Sequence, residues 1–349
     1  MVKQRVPYFP VMATFDMSGV CNLDCYMCPR QTMYNPATRK KLPTLKFSTF
    51  EKIMANCPTL GKINLVGAGE PLMHPEIEKF YEYADQNGLF VMTTINGTLI
   101  HKYIDKFPKM MQIHISIEST NPETYTSTKG GAKIEELYRN LSILKTQRPD
   151  IDLILQSLLM KENMYDLKGV VDLCAKYNAT FTPIYPIMPT MDYYTKMSVY
   201  EDVNLPWWLY QLGMYCAIKG VKNYIPPSMP VLKDCGVNHA IFVDGNGIQM
   251  ACCYACHNRF LGEWEETFLG EKHILPQPSY IMGDLSKESI FDYWYGENYT
   301  DIRKWQNAQL PKVMDINLLK RMRTEQAKIQ KEQPHSYCTV CLYRWQLGC

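Results

Sequence analysis

The sequence predicts an α/β fold in which parallel strand–helix units occupy residues 1–190, joined through 191–234 to a small cysteine-bearing domain over 235–349. Three observations carry this. Short β-like runs alternate with helical stretches from Val11 to about residue 190, the pattern of parallel β/α units. The 349 residues suffice for one large domain of about 200 to 250 residues plus a smaller one. Ten of the 13 cysteines fall into three groups at short spacings, behind an N-terminus without a secretory signal. Cysteines grouped so read as metal or cluster ligands rather than disulfides.

In chain order the β-like runs are residues 11–16, 62–66, 90–95, 111–117, 153–159 and 180–186. Helical periodicity covers 48–55, 74–87, 134–146 and 164–177. Ser48, three residues before Glu51, reads as a capping box, and Gly88 as a helix stop. Periodicity alone leaves an open parallel barrel and a doubly wound sheet as alternatives, and either places functional residues where strands end. Residues 187–234 break the pattern with prolines and an aromatic cluster, Tyr193, Tyr194, Trp207, Trp208 and Tyr210, expected to connect the domains and wall a site or simply to pack on the surface. A hairpin follows, with strands at 240–243 and 248–252 around Asp244-Gly245-Asn246-Gly247. Residues 317–331 read as a solvated, charged helix.

The formal net charge of +2 gives no electrostatic case for nucleic acid or a membrane surface as partner. Residues 1–16 lack the apolar core of a signal peptide, and no run of about 18 apolar residues occurs. The expectation is a soluble cytoplasmic protein. Cys57, Cys174 and Cys216 stand alone and are expected to be small buried hydrophobes.

Cys21-x3-Cys25-x2-Cys28 directly follows the first run. Three thiolates on one short loop can hold an iron-sulfur cube and leave its fourth iron open, whereas clusters that only transfer electrons have all four irons held by cysteine. An open iron can chelate a small molecule through amino and carboxylate groups. The alternative is a zinc site completed by His74 or Cys57.

This motif resembles the cluster motif of the radical S-adenosylmethionine (SAM) superfamily, and later segments resemble that family's signatures in order. Gly67-Ala68-Gly69-Glu70-Pro71 is similar to its Gly-Gly-Glu-Pro turn, with Ala68 in place of a glycine. There the backbone of Ala68, Gly69 and Glu70 would bond the SAM amino group, glycine permitting close approach. The resemblance implies SAM contacts from Ser116 and Glu118 in Ile115-Ser116-Ile117-Glu118-Ser119, from Asn96 in Thr-Ile-Asn-Gly-Thr, and from Gln156. For Asn96 an Asn-Gly turn is the competing explanation. It also puts Tyr185 and Met27 near adenine. The implied fold is a partial (β/α)6 TIM-like barrel.

Cys235, Cys252, Cys338 and Cys341 resemble the ligands of the auxiliary-cluster domain called SPASM or, in shorter form, twitch, which implies one auxiliary 4Fe-4S cluster. Two would draw in Cys253, Cys256 and Cys349, and a four-cysteine zinc site is the alternative. If not ligands, Cys253, Cys256 and Cys349 could donate a hydrogen atom to a substrate radical. The resemblance implies an enzyme that cleaves SAM to a 5′-deoxyadenosyl radical and abstracts a substrate hydrogen, oxidising, cross-linking or epimerising a ribosomal peptide. Its electron donor would be a flavodoxin or ferredoxin. The alternatives are a dehydrogenase or epimerase of an aminocyclitol or sugar, and an iron-sulfur or zinc binding module without catalysis. The first run begins at about residue 11, so no leader-binding domain is expected ahead of it.

Overall fold

The structure, a computed structural model, describes residues 9–28, 30–31, 42–186, 195–199, 202–228, 240–250, 264–268, 271–275 and 281–306. Six strands lie parallel and in chain order: β1 (Met12–Asp16), β2 (Lys62–Val66), β3 (Phe90–Ile95), β4 (Met111–Ser116), β5 (Asp152–Leu158) and β6 (Thr180–Ile184). Each pairs with its successor. A doubly wound sheet reverses strand order at a switch point. This one runs through without reversal, so the singly wound partial barrel is the architecture formed.

Helices α1 (Phe47–Asn56), α2 (Ile77–Gln86), α3 (Ile100–Tyr103), α4 (Pro122–Thr128), α5 (Ile134–Gln147) and α6 (Leu167–Tyr177) fill the crossovers. One face of the strands is apolar and fully buried, through Ala13, Phe15, Ile63, Leu65, Val91, Ile113, Ile115 and Leu155. The other carries half-buried Asn64, Thr94, His114, Ser116 and Gln156, so the period of two separates a packed side from a polar, concave one. Phe15 of β1 meets Phe50 of α1 edge-on at 5.1 Å, and Phe50 meets Phe80 of α2 at 4.8 Å. Burying rings of this size contributes roughly 2 to 3 kcal/mol each and fixes both helices on the sheet.

Helix ends show where local signals succeed and fail. Gly88, at φ +63°, closes a Schellman motif, with Leu89 N–H donating to Ala84 O at 2.9 Å and Gly88 N–H to Asp85 O at 3.4 Å. The capping box expected at Ser48 does not form. The α1 N-cap is Lys46, and the part-buried Phe47 N–H donates instead to the Glu76 carboxylate at 3.2 Å, a partner 29 residues away.

The expected hairpin forms as β7 (Ala240–Val243) and β8 (Ile248–Met250), with Asp244 Oδ1 accepting from Asn246 and Ile248 N–H at 2.9 Å. It joins the main sheet. β7 pairs in parallel with the free edge of β1, and β11 (Ile281–Asp284) continues beyond β8, so one nine-stranded sheet crosses the boundary placed at residue 234. Strands β9 (Trp264–Phe268) and β10 (Glu271–Leu275) form a separate antiparallel pair.

Within the aromatic connector, α7 (Leu205–Ile218) packs against α6, where Tyr215 Oη donates to Asp172 at 2.9 Å. Its inner face buries Trp208, Leu209, Leu212 and Cys216, and Trp207 stacks on Tyr210 outside at 5.4 Å. Tyr193 and Tyr194 lie outside the described residues. Two short helices, α8 (Ile290–Tyr293) and α9 (Glu297–Gln306), follow β11. Cys57, Cys174 and Cys216 are fully buried, as expected. Among the described residues no helix is long and apolar enough to cross a membrane. The segment 317–331 lies outside them.

Candidate functional site

A cavity of about 270 Å³ opens where β2 to β5 end, and the loop after β1 supplies one wall with Cys21, Cys25, Met27 and Cys28. The turn after β2 adds Ala68, Gly69 and Glu70, the end of β3 adds Asn96, and β4 and β5 bring Ser116, Glu118 and Gln156. One cavity at the strand ends thus gathers every cluster-ligand and SAM-contact candidate named from the N-terminal 160 positions.

The Gly67-Ala68-Gly69-Glu70 turn is built to meet the cysteine loop. Gly69 N–H donates to Ser18 O and Glu70 N–H to Val20 O, both at 2.8 Å, and Ala68 N–H donates to Asp16 Oδ1 at 3.3 Å. A Cβ on Gly69 would stand 2.0 Å from Val20 O, and one on Gly67 2.7 Å from Ser18 O. The glycines therefore admit the protein's own backbone, and the turn also lines the cavity. What the turn can offer an ammonium group is its carbonyl oxygens.

Two further brackets hold the loop. Asn96 Nδ2 donates to Asn22 Oδ1 at 2.8 Å, and Asn22 Nδ2 donates to Thr98 Oγ1 at 2.9 Å. Thr98 N–H returns to Asn96 Oδ1 at 2.9 Å, an Asx turn completed by Gly97 at φ +80°. The Asn-Gly turn is thus present, and the Asn96 amide moors the cysteine loop to β3. Glu70, 2% exposed, accepts from Leu72 N–H at 3.1 Å and Asn96 N–H at 2.7 Å. Burial pushes its carboxyl up to about 7 against these two bonds.

The sign of the resulting linkage follows from that rise. Between its ordinary value of 4.5 and about 7 the folded chain keeps a proton that the unfolded chain has lost, so stability falls as pH rises through that window. The full loss is about 3 kcal/mol. Glu70→Gln is expected to remove this slope, seen as apoprotein urea midpoints that no longer drop between pH about 5 and about 8.

Across the cavity Glu118 and Lys129, each 3% exposed on its side chain, form an ion pair at 2.9 Å. Glu118 also accepts from Leu158 N–H at 2.7 Å, joining the ends of β4 and β5. Burial pulls the Lys129 ammonium down, but Glu118 and Cys25 outweigh it and hold it well above its ordinary range. Sequence reading passed over Lys129, whose only local mark is the pair Gly130-Gly131 after it, both at positive φ. It passed over His114 too, which bridges Gln112 and Gln156 at 3.2 Å each and so orients Gln156.

Burial raises the Cys21 and Cys28 thiols, and takes Cys25 up to about 11 against the pull of Lys129. Arg30 opposes the rise at Cys21 and Cys28, and its Nε is buried without a partner. Three neutral thiols flanked by two cations suit a group that takes thiolates and releases their protons. Among the described residues no three His, Cys, Asp or Glu side chains converge on a single-ion site. His74 is also engaged, with Nε2 donating to Leu45 O at 2.8 Å and Nδ1 accepting from Glu76 N–H at 3.1 Å, and Cys57 is fully buried beside Ile290. Neither is placed to complete a zinc site.

Met27 lines the cavity and packs with Met160 and Met197, a soft apolar cluster beside it. Tyr185 does not line the cavity. It is 2% exposed and its hydroxyl donates to Pro227 O at 2.9 Å. Cys235, Cys252, Cys253, Cys256, Cys338, Cys341 and Cys349 lie outside the described residues.

Residues 16–174 match the sequence model of the Radical SAM superfamily. An AdoMet-dependent heme synthase of Methanosarcina barkeri is 23% identical over 189 residues, 52% of this chain and 52% of that protein. The chain thus spans about half the length of the first curated relatives it matches. A tungsten-containing aldehyde ferredoxin oxidoreductase cofactor-modifying protein of Pyrococcus furiosus is 22% identical over 328 residues, 87% of this chain and 86% of its own. Streptococcus suis SuiB, in a crystal structure bound to precursor peptide SuiA, superimposes with a TM-score of 0.62 at 14% identity, over 89% of this chain and 73% of SuiB.

Proposed function

Taking residues 16–174 as a radical SAM domain, we propose that Cys21, Cys25 and Cys28 hold a 4Fe-4S cluster beside SAM in the cavity, and that the substrate is a ribosomal peptide. The observation that carries this is the convergence of the three thiols with the ends of β2 to β5 on one cavity. When bound, the pair supplies a 5′-deoxyadenosyl radical able to take a hydrogen atom from an unactivated carbon.

The chain's own residues then bind and orient. The carbonyls of Gly67 and Ala68 receive the SAM ammonium, Lys129 faces its carboxylate, and Ser116 and Gln156, opposite each other in the β4–β5 register, address ribose and carboxylate. Met27 supplies an apolar wall for the adenine. The buried Glu118–Lys129 pair and the methionine corner keep water from the reacting atoms. Cys235, Cys252, Cys338 and Cys341 are proposed to hold one auxiliary 4Fe-4S cluster, with Cys253, Cys256 or Cys349 as hydrogen-atom donors. A flavodoxin or ferredoxin would supply the electron.

The peptide reading draws on the likeness to SuiB, solved with its precursor peptide. Similarity to the Pyrococcus furiosus cofactor-modifying protein over most of both chains favours a small-molecule substrate as the second reading. Activity that appears only when a precursor peptide is supplied supports the first, and turnover without any peptide supports the second. The cluster itself is tested on anaerobically reconstituted protein by iron, sulfide and electron paramagnetic resonance, with and without SAM. The variant Cys21→Ala, Cys25→Ala, Cys28→Ala is expected to lose about four irons and the SAM-perturbed signal. Zinc without sulfide in the wild type would sink the reading.

A further inference from the structure

Asp152, Gln112, His114 and Gln156 form a ladder of side chains on the polar face of β4 and β5, running from the start of the strands to the cavity. Gln112 and Asp152 stand opposite each other in the register, as do Ser116 and Gln156 four residues on. Gln112 Nε2 donates to Asp152 Oδ2 at 2.5 Å, His114 Nε2 lies 3.2 Å from Gln112 Oε1, and His114 Nδ1 lies 3.2 Å from Gln156 Oε1. Asp152 is exposed, whereas Gln156 lines the cavity.

The polarity of that ladder is fixed at its exposed end. An ionised carboxylate can only accept, so Gln112 turns its amide nitrogen to Asp152 and its oxygen to His114. Nε2 of the imidazole therefore carries a proton. Burial pulls His114 below its ordinary value and Lys62 on β2 adds to that, against Gln156 and Asp152 on β5, so at neutral pH the ring holds one proton and Nδ1 accepts. With Gln156 Oε1 facing Nδ1, two acceptors would meet and the last bond would be lost. A half-turn of the Gln156 amide, which leaves its outline unchanged, sets the amide nitrogen on Nδ1 and completes the ladder. The amide atom left for the cavity is then the carbonyl oxygen.

We propose that Asp152, through Gln112 and His114, holds Gln156 with its carbonyl oxygen toward the cavity, so that Gln156 receives a hydrogen-bond donor of the bound ligand and turns away a carboxylate. The inference rests on the SAM reading of the cavity and sharpens it. Of the two groups shared between Ser116 and Gln156, the ribose hydroxyls go to Gln156, because an amide oxygen and a carboxylate are both acceptors. The carboxylate is left to Ser116 and Lys129. Asp152, Gln112 and His114 do not line the cavity, so they are positioning residues that act on the ligand only through Gln156.

The test has two arms. The full-length apoprotein, labelled with nitrogen-15 histidine and with His114 assigned through His114→Asn, is read at neutral pH by long-range proton–nitrogen correlation, which reports the protonated ring nitrogen. His114 is expected to carry its proton on Nε2 in the wild type, and in Asp152→Ala, where nothing fixes Gln112, both tautomers should appear. A wild-type proton on Nδ1, or an Asp152→Ala pattern identical to the wild type, overturns the inference without touching the SAM reading. The second arm measures binding of SAM and of its 2′,3′-dideoxy analogue, which lacks the ribose hydroxyls, to reconstituted holoprotein. Gln156→Leu is expected to weaken SAM by about threefold to tenfold, the worth of one hydrogen bond, and to leave the affinity of the analogue unchanged. Gln156→Met, unbranched like glutamine, serves if the leucine variant does not fold. Equal weakening of both ligands, or of neither, again overturns the inference alone. Wild-type holoprotein that binds no SAM overturns the reading beneath it.

Discussion

Gly69→Ala is expected to empty the three-cysteine site while leaving the barrel folded. The added Cβ would stand 2.0 Å from Val20 O, 2.6 Å from Val20 C and 2.7 Å from Val20 N. All three are backbone atoms, so no rotamer change relieves the overlap and the loop itself must move. Moving it breaks the bonds from Gly69 N–H to Ser18 O and from Glu70 N–H to Val20 O, and Cys21 is the next residue along. Overpacking of this kind costs about 1 to 3 kcal/mol, within what a domain of this size tolerates. Bound iron is therefore expected to fall by as much as in the triple cysteine variant, with far-ultraviolet circular dichroism preserved. Gly61→Ala is the control, since a Cβ there meets nothing within 4 Å. Undiminished iron in Gly69→Ala would show that the loop does not depend on the turn.

Lys129→Met carries the second large effect, this time on stability. It removes the cation from a pair whose side chains are each 3% exposed and leaves the Glu118 carboxylate buried with Leu158 N–H at its other oxygen. Removing one partner of such a pair costs about 3 to 5 kcal/mol. The urea midpoint should fall accordingly. Adding Glu118→Gln in the same chain is expected to recover much of the loss, because no uncompensated charge then remains and the amide oxygen can still accept from Leu158. Equal midpoints for the single and double variants would mean that the loss came from packing around the lysine stem.

Much of the site was legible because its chemistry is local. Cys21, Cys25 and Cys28 sit within eight residues of one another, and the turns at 67–71 and 96–98 follow recognisable strands. Each of β1 to β6 was legible for the same reason, as a short β-like run of five to seven residues. Roles were harder to read than places. Gly69 makes room for Val20 as well as lining the cavity, and the Asn96 amide holds Asn22. Ser48 carries the local signature of a cap, yet Glu76 from the next loop reaches the helix end first.

The sequence by itself determined the order of strands and helices, the three-cysteine loop and the turns that face it, since hydrophobic period, capping glycines and ligand spacing act between near neighbours. Tertiary structure alone decided that β7 adds to the free edge of β1, that the glycines serve backbone contact, and that Lys129 meets Glu118 inside the cavity wall. These depend on what stands across a gap of a few ångströms, and residues 20 and 69, or 15 and 243, become neighbours only when the sheet closes around its core.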